Sequence, residues 1–379
     1  MVLPPYAPDY SGVCSALFEL GGLVVIHDGG GCTGNYTGFD EPRWYGSKSA
    51  IFCSGLREMD AVLGADDLLI RKIKAACQEL SPRFVAILGS PVPMLIGTDM
   101  TGIAAELEDE LQLPCFGMAT NGLKVYPLGI GMAEKAMADR YLRDPERTRP
   151  GTLNILGMTP LDFACRGNAE QLQELLASWG YEVLASFDMG NSLERIASAG
   201  EAQVNLVVSQ GGLPLARWME RRYQIPYVAG LAMGQTGQTL LRELLDRTAQ
   251  DGVSRTMGRT AAEAPRILFA GEQLQGNAFR AARERKTGRS DVCVAGVFGP
   301  DAALMAPGDL SLPEEGDLLR EIRSGKYEVV IGDPLMKGLL RQEEAVDFRE
   351  FPHVAISSKL YWDHAPQFCG AEMEALLDL

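Results

Sequence analysis

Short apolar segments typical of β-strands alternate with helical segments along the whole chain of 379 residues, and this alternation limits the fold more than any other feature. Many of the strand-like segments, such as Val292–Val297, show no clean alternation of apolar and polar positions. Parallel strands that are covered by helices on both faces have this pattern. The sequence therefore predicts an α/β protein built from parallel sheets with crossover helices.

The individual elements can be assigned from these patterns. The predicted strands are Gly22–His27, Arg83–Leu88, Asn154–Gly157, Glu182–Phe187, Val204–Ser209, Tyr227–Gly230, Arg266–Ala270, Val292–Val297, Glu328–Ile331 and His353–Ile356. The clearest predicted helices are Leu68–Leu80, Gly102–Leu111, Asn168–Trp179, Leu213–Arg222, Gly237–Ala249, Leu274–Glu284 and Glu314–Ser324.

Two polar segments that contain proline, Arg143–Gly151 and Ser254–Pro265, divide the alternation into three units. Polar segments of this kind are typical of linkers between domains. We therefore expect three Rossmann-like domains around a central cleft, spanning residues 1–148, 149–258 and 259–379.

Charge and hydropathy exclude several classes of protein. The formal net charge is −15, and the chain has no long basic segment of the kind that nucleic-acid binding needs. The longest apolar segments, such as Leu23–Ile26, are far shorter than the ~20 residues that span a membrane. The N-terminus has neither the basic nor the apolar region of a signal peptide. We expect a cytoplasmic protein with no nucleic-acid partner and no membrane contact.

The chain has eight cysteines, and no two of them form a CxxC pair. A zinc ribbon or a thioredoxin-type site is therefore not indicated. A buried, chemically inert thiol is the ordinary role of cysteine in a cytoplasmic protein. We assign that role to Cys77, Cys115, Cys165, Cys293 and Cys369.

A glycine-rich loop follows the first strand and contains a formal match to GxGxxG at Gly29, Gly31 and Gly34. A dinucleotide site would also need an amphipathic helix directly after this loop. The segment Asn35–Trp44 has no apolar helical period and contains a proline. A second glycine-rich segment, Gly230–Thr239, lacks the lysine of a P-loop. The sequence therefore does not favour a nucleotide site.

The same loop suits an inorganic cluster better. Gly29, Gly30 and Gly31 would let the backbone approach a cluster closely, with N–H groups directed at its sulfides. The thiolate of Cys32, at the end of the loop, is a natural ligand for iron. His27 could orient the loop or donate a hydrogen bond near the cluster, and the alternative is a buried histidine that only ends the strand.

The segment His27–Cys32 resembles the strand–His–glycine-rich–Cys turn of the nitrogenase component 1 family. This family includes the MoFe protein subunits, dark-operative protochlorophyllide reductase and the nickel-sirohydrochlorin reductive cyclase. Five further segments resemble family segments in the same order: Phe52–Glu58, Asp60–Ala65, Ala86–Asp99, Asn205–Ser209 and Met219–Pro226. The resemblance implies three nitrogenase component 1-like domains, and the last third of the chain fits in pattern only.

Members of this family place about three cysteines per subunit around a cluster at a subunit interface. The middle cysteine of the family matches Cys32, but another falls at or near Pro91 and a third has no cysteine in its place. The resemblance therefore implies a rearranged ligand set of Cys32, Cys53 and Cys14, and a core thiol is the alternative for each.

The resemblance does not extend to the catalytic metallocluster of nitrogenase. That cluster needs a cysteine where this chain has Ser209, and a histidine in a motif that neither His353 nor His364 matches. Reduction of dinitrogen is therefore not expected, and no catalytic residue is predicted.

Three functions follow from the sequence. The first is an iron–sulfur oxidoreductase subunit that holds a [4Fe–4S] or P-cluster-like cluster and receives electrons from an iron-protein-like ATPase. It would work as a homodimer or as a heterodimer with a related subunit. The alternative is a scaffold or carrier that assembles a metallocluster without turnover. A metal-free binding protein with three α/β domains is the third.

Overall fold

The computed structural model of the chain describes residues 2–47, 49–64, 66–341 and 346–379. Ala65, which ends one of the segments that resemble the family, lies outside these ranges. Three separate parallel sheets follow one another along the chain, with helices between their strands. None of the helices described is both long enough and apolar enough to cross a membrane.

The first sheet has four strands in the order β2-β1-β3-β4, all parallel. Its strands are β1 (Leu23–Ile26), β2 (Ala50–Cys53), β3 (Val85–Leu88) and β4 (Cys115–Met118). Its helices are α1 (Asp9–Leu17), α2 (Gly31–Asn35), α3 (Glu58–Leu63), α4 (Asp66–Leu80), α5 (Pro91–Ile96), α6 (Met100–Leu111) and α7 (Tyr126–Tyr141). A π-helix at Tyr36–Asp40 continues α2, so the first part of the segment without an apolar period is helical, and residues 41–44 are not.

The second sheet has five parallel strands in the order β6-β5-β7-β8-β9. Its strands are β5 (Arg149–Leu156), β6 (Glu182–Ser186), β7 (Ala202–Val207), β8 (Tyr227–Ala229) and β9 (Arg255–Thr256). Its helices are α8 (Pro160–Phe163), α9 (Asn168–Ser178), α10 (Leu193–Ser198), α11 (Leu213–Tyr223) and α12 (Gly234–Asp251).

The third sheet also has five parallel strands, in the order β12-β11-β10-β13-β14. Its strands are β10 (Ile267–Gly271), β11 (Val292–Gly296), β12 (Leu310–Ser311), β13 (Val329–Gly332) and β14 (Asp347–Glu350). Its helices are α13 (Gln273–Thr287), α14 (Glu315–Ile322), α15 (Val354–Ser357) and α16 (Ala371–Leu376). The domain boundaries at 148/149 and 258/259 lie between these blocks of strands and stay a prediction.

One predicted strand is wrong. Residues 353–356 end in the short helix α15, and the edge strand is the more polar β14 instead. The His353 side chain caps α15, because its Nδ1 accepts a hydrogen bond from Ala355 N at 3.3 Å. The side chains of Val354 and Ile356 are buried in the core of the third domain. The apolar character of this segment therefore indicates that it is buried, and it does not indicate a strand.

Two glycines let α1 and α7 approach each other closely. A Cβ on Gly12 would lie 2.1 Å from Tyr126 O, and one on Gly129 would lie 1.8 Å from Asp9 O. Neither contact is sterically possible for a larger residue, so both positions need glycine. This close packing holds α1, which carries Tyr10 and Cys14, against α7.

The three domains meet at a buried polar junction with one residue from each. Tyr126 on α7 donates from Oη to Asp162 Oδ1 at 2.5 Å, and His353 Nε2 lies 3.3 Å from the same oxygen. The Phe298 ring packs against both Tyr126 and His353, with centroid distances of 5.0 and 5.1 Å. A carboxylate buried this deeply depends on its hydrogen bonds for stability.

Replacing Tyr126 with phenylalanine should lower the free energy of unfolding by about 1–3 kcal/mol, because Asp162 would lose a buried hydrogen bond. Urea unfolding at pH 7 measures this change. Tyr45→Phe is the control, since Tyr45 is 65% exposed and should change stability little. Equal effects of the two substitutions would contradict a stabilising role for the junction.

Candidate functional site

The carboxyl ends of three parallel strands bring the candidate residues to one edge of the first sheet. In register, Ile26 of β1 pairs with Cys53 of β2 and with Leu88 of β3. The glycine loop and α2 follow β1, and Ser90 follows β3. Loops at the carboxyl edge of such a sheet form its usual binding site.

Asp28 organises the glycine loop. Its Oδ2 accepts hydrogen bonds from Gly30 N at 2.8 Å and from Thr33 N at 3.2 Å. Gly30 has φ +132°, which a residue with a side chain rarely adopts, and a Cβ there or at Gly31 would meet no atom of the chain within 4 Å. The loop therefore presents open, glycine-lined space beside Cys32, as the approach of a cluster requires.

Gly29 serves a different purpose. A Cβ on Gly29 would lie 3.2 Å from Leu56 O, so this glycine lets the loop pack against the segment that follows β2. Of the three glycines predicted to cradle a cluster, Gly30 and Gly31 line the open side. Gly29 faces the protein.

Cys32 is the second residue of α2 and is half-buried, in contact with the core of the first domain. Burial raises the pKa of its thiol, the nearby Asp28 carboxylate adds to the rise, and the Tyr10 phenol and the Ser90 hydroxyl oppose it. The free thiol is therefore protonated near neutral pH. A bound metal ion would displace that proton and hold the thiolate, so this residue fits an iron ligand.

Cys53 lies at the same edge as the last residue of β2. Its thiol donates to Asp28 O at 3.3 Å and accepts from Gly55 N at 3.3 Å. Cys32 and Cys53 thus both contact Asp28, one through the side chain and the other through the main chain. The structure brings these two predicted ligands to one loop.

Cys14 lies elsewhere. It is completely buried in the core on α1, and burial together with the nearby Glu41 and Asp40 raises the pKa of its thiol well above the ordinary value. Its placement favours the alternative of a core thiol. Over the residues described, no three His, Cys, Asp or Glu side chains are arranged to hold a metal ion.

His27 holds the loop in place. Its Nδ1 lies 2.8 Å from Ser54 Oγ, the same hydroxyl accepts from Asp28 N at 3.0 Å, and Lys72 Nζ donates to Ser54 O at 2.6 Å. Burial lowers the pKa of the imidazole, which keeps it neutral near pH 7. His27 therefore fits a positioning role better than direct contact with a cluster.

Sequence reasoning missed three polar groups around Cys32: Tyr10, Asp28 and Ser90. Asp28 and Ser90 each follow a predicted strand closely, and this position was a signal that could have pointed to them. Tyr10 has no such signal, because it reaches Cys32 only through the packing of α1 on the domain.

An exposed apolar surface borders the site. The helices α3 and α5 begin shortly after Cys53 and Ser90, and they contact each other. Seven of their apolar side chains are between 40% and 77% exposed. We call this surface the α3–α5 face; it comprises Met59, Val62, Leu63, Val92, Met94, Leu95 and Ile96.

A sequence profile of the family described as "Nitrogenase component 1 type Oxidoreductase" matches residues 9–280. The chain belongs to this family. The match includes Cys14, Cys32 and Cys53 and leaves out most of the third domain. It confirms the family to which the motifs pointed.

Similar proteins of known role are mostly cofactor biosynthesis proteins. The nitrogenase iron-molybdenum cofactor biosynthesis protein NifE of Rhodobacter capsulatus is 26% identical over 319 residues, which are 81% of this chain and 65% of that protein. The nitrogenase molybdenum-iron protein alpha chain of Clostridium pasteurianum is 24% identical over 49% of this chain and 35% of its own length. The chain therefore spans less than two thirds of the length of these relatives.

Solved structures agree on the fold. A structure described as "Nitrogenase Cp1 at pH 5" covers all of this chain and 87% of its own, with a TM-score of 0.68 and 16% identity. Identity this low shows the fold alone. It confirms the predicted α/β architecture, including the part of the chain after residue 280 that the profile does not match.

Proposed function

We propose that this family member is a subunit that carries an iron–sulfur cluster during metallocluster assembly and passes it on without turnover. The observation that carries the proposal is the similarity to NifE cofactor biosynthesis proteins over 81% of the chain. Nitrogenase alpha chains are also similar, but over only about half of the chain. The relatives therefore favour assembly over the reduction of a substrate.

The chemistry of the site supports a cluster held in part by this chain. Cys32 and Cys53 are half-buried and reach the same glycine loop, while Cys14 is enclosed in the core. A [4Fe–4S] cluster generally takes four cysteine thiolates. Two thiolates from each of two chains would complete the set. A P-cluster-like assembly would need more thiolates than the two that each chain has at this edge of the sheet.

The α3–α5 face supports a partner that covers the site. Apolar surface of this extent, next to an incomplete set of ligands, is typical of a protein interface. The partner that completes a symmetric ligand set most simply is a second copy of this chain, or a related subunit with the same edge. We propose that the first domains are in contact in this dimer.

Assembly and reduction can be separated by one experiment. Anaerobically reconstituted protein should transfer its cluster to an apo iron–sulfur acceptor, with iron and visible absorption moving to the acceptor. Substrate reduction that requires a reductant and an iron-protein-like ATPase, without loss of iron from the chain, would instead support the oxidoreductase function. Protein that binds no iron under these conditions would contradict both functions.

Introducing a charge on the α3–α5 face should weaken the dimer. Leu95 is 76% exposed, so Leu95→Asp should leave the fold intact and raise the dimer dissociation constant by at least about tenfold, as measured by sedimentation. Val253→Asp is the matched control, since Val253 is 55% exposed on the second domain. A wild-type monomer that holds a complete cluster would contradict the shared site.

A further inference from the structure

One lysine holds its charge beside the segment that follows Cys53. Lys72, on the second turn of α4, donates from Nζ to Ser54 O at 2.6 Å. The Ser54 hydroxyl in turn lies 2.8 Å from His27 Nδ1, so Ser54 joins the end of β2 to the glycine loop. The ammonium group of Lys72 therefore lies at the same edge of the first sheet as Cys53.

Gly55 connects this ammonium group with the Cys53 thiol. Gly55 N donates to Cys53 Sγ at 3.3 Å, and a Cβ on Gly55 would lie 3.9 Å from Lys72 Nζ. Lys72 and Cys53 also line one small cavity of about 50 Å³, with apolar walls from Leu69 and Ile73. Apolar surroundings screen a charge less than water does, so the charge of Lys72 acts on this edge at short range.

No carboxylate in the described part of the chain neutralises this lysine. Lys72 Nζ has no carboxylate oxygen within 4 Å among these residues, whereas Lys74, on the same helix, pairs with Glu110 at 2.6 Å. The Asp28 carboxylate, which organises the glycine loop, accepts its hydrogen bonds from main-chain N–H groups of that loop instead. The charge of Lys72 is therefore available to another anion at this edge.

The charge of Lys72 also acts at the start of the glycine loop. His27 directly follows β1 and begins this loop. Burial lowers the pKa of the His27 imidazole, and the charge of Lys72 lowers it further, while Asp66, Asp28 and Asp60 oppose the change. The field of this one ammonium group therefore extends from the end of β2 to the end of β1, between which a cluster would lie.

We propose that Lys72 raises the reduction potential of the cluster that Cys32 and Cys53 hold. A thiolate-bound iron–sulfur cluster gains one negative charge when it takes up an electron, and a nearby positive charge stabilises this reduced state. Lys72 is a positioning residue that acts through its charge and through Ser54, without binding iron. This inference rests on the proposed function, because it needs the cluster, and it names the residue that sets how readily the cluster is reduced.

The test is an electrode titration of anaerobically reconstituted protein, followed by its visible absorption. At the potential that reduces half of the wild-type cluster, Lys72→Gln should lower the ratio of reduced to oxidised cluster about threefold, because the charge is lost. The glutamine amide can still donate a hydrogen bond to Ser54 O. Lys72→Arg keeps the charge and should match the wild type. Salt at about 1 M should shrink the difference between Lys72→Gln and wild type, because salt screens charges.

Lys74→Gln is the matched control, since Lys74 lies on the same helix but is paired with Glu110, and it should leave the ratio unchanged. Lys72 is exposed, so its substitution should not disturb the fold, which circular dichroism checks. Three results would overturn the inference and leave the proposed function intact: an unchanged ratio in Lys72→Gln, an equal fall in Lys72→Arg, or a fall that salt does not reduce. Loss of iron from folded Lys72→Gln would also overturn it, because the lysine would then hold the cluster and not tune it. A wild-type protein without iron would overturn the proposed function itself.

Discussion

Replacing Cys32 with alanine should remove most of the iron and the brown absorption from anaerobically reconstituted protein, while the fold stays close to normal. Cys32 lies beside the open space of the glycine loop, and no described cysteine other than Cys53 reaches that loop to take its place. Loss of one thiolate from a shared set leaves an iron without a protein ligand. Iron analysis and the visible spectrum measure the effect, and circular dichroism checks the fold.

Two other cysteines are matched controls for this experiment. Cys293 is 3% exposed in the third domain, and Cys77 packs against the core of the first domain on α4. Alanine at either position should cost a few kcal/mol of stability at most and leave the iron content unchanged. Full iron content in the Cys32→Ala variant would contradict the assignment of the site, and iron loss in all three variants would point to general unfolding.

The second large effect concerns stability and pH. Glu134 on α7 and Asp188, shortly after β6, are both completely buried, and burial raises the pKa of each carboxyl, to about 7 for Asp188. Their mutual charge adds to the rise for Glu134. Gly157 N donates to Glu134 Oε1 at 2.7 Å, and the hydrogen bond between the Glu134 and Asp188 carboxyls needs a proton on one of them.

A carboxyl whose pKa is higher in the folded state than in the unfolded state stabilises the fold only while it is protonated. Its contribution is complete below the unfolded pKa, near 4, and is lost as the pH rises to about 7. One such proton changes the free energy of unfolding by about 1.4 kcal/mol per pH unit within this range. The buried pair of carboxyls should therefore lower the free energy of unfolding at pH 8 relative to pH 4.

Asp188→Asn should raise the free energy of unfolding by about 2–4 kcal/mol at pH 8 and have little effect at pH 4. The amide keeps the shape of the side chain and can donate to Glu134. Urea unfolding at several pH values measures the change, and Glu106→Gln, at an exposed position on α6, is the control. A stability difference between Asp188→Asn and wild type that does not change with pH would contradict the account.

Local sequence patterns predicted most strands correctly, because buried parallel strands are short, apolar and β-branched wherever they occur. They missed β2, β9, β12 and β14, the last of which has three charged residues among its four, and they failed at residues 353–356, where apolar side chains pack in a helical turn. They also missed α7. Because α1, α10 and α11 pack around this helix, it carries no single apolar stripe.

The candidate site, too, could be predicted from the sequence only in part. The glycine loop and Cys32 could be found from adjacent residues, since a strand, three glycines and a cysteine are consecutive. That Cys53 reaches this loop follows from the parallel pairing of β1 and β2. That Cys14 does not reach it follows from its enclosure in the core on α1.

By itself, then, the sequence determined the α/β architecture, the family and the position of one thiol, because each depends on the order of neighbouring residues. Only the tertiary structure decided which distant groups meet: Tyr10 and Ser90 with Cys32, Glu134 with Asp188, and the three residues at the domain junction. These contacts depend on strand register and on helix packing, which bring together positions that no local pattern relates.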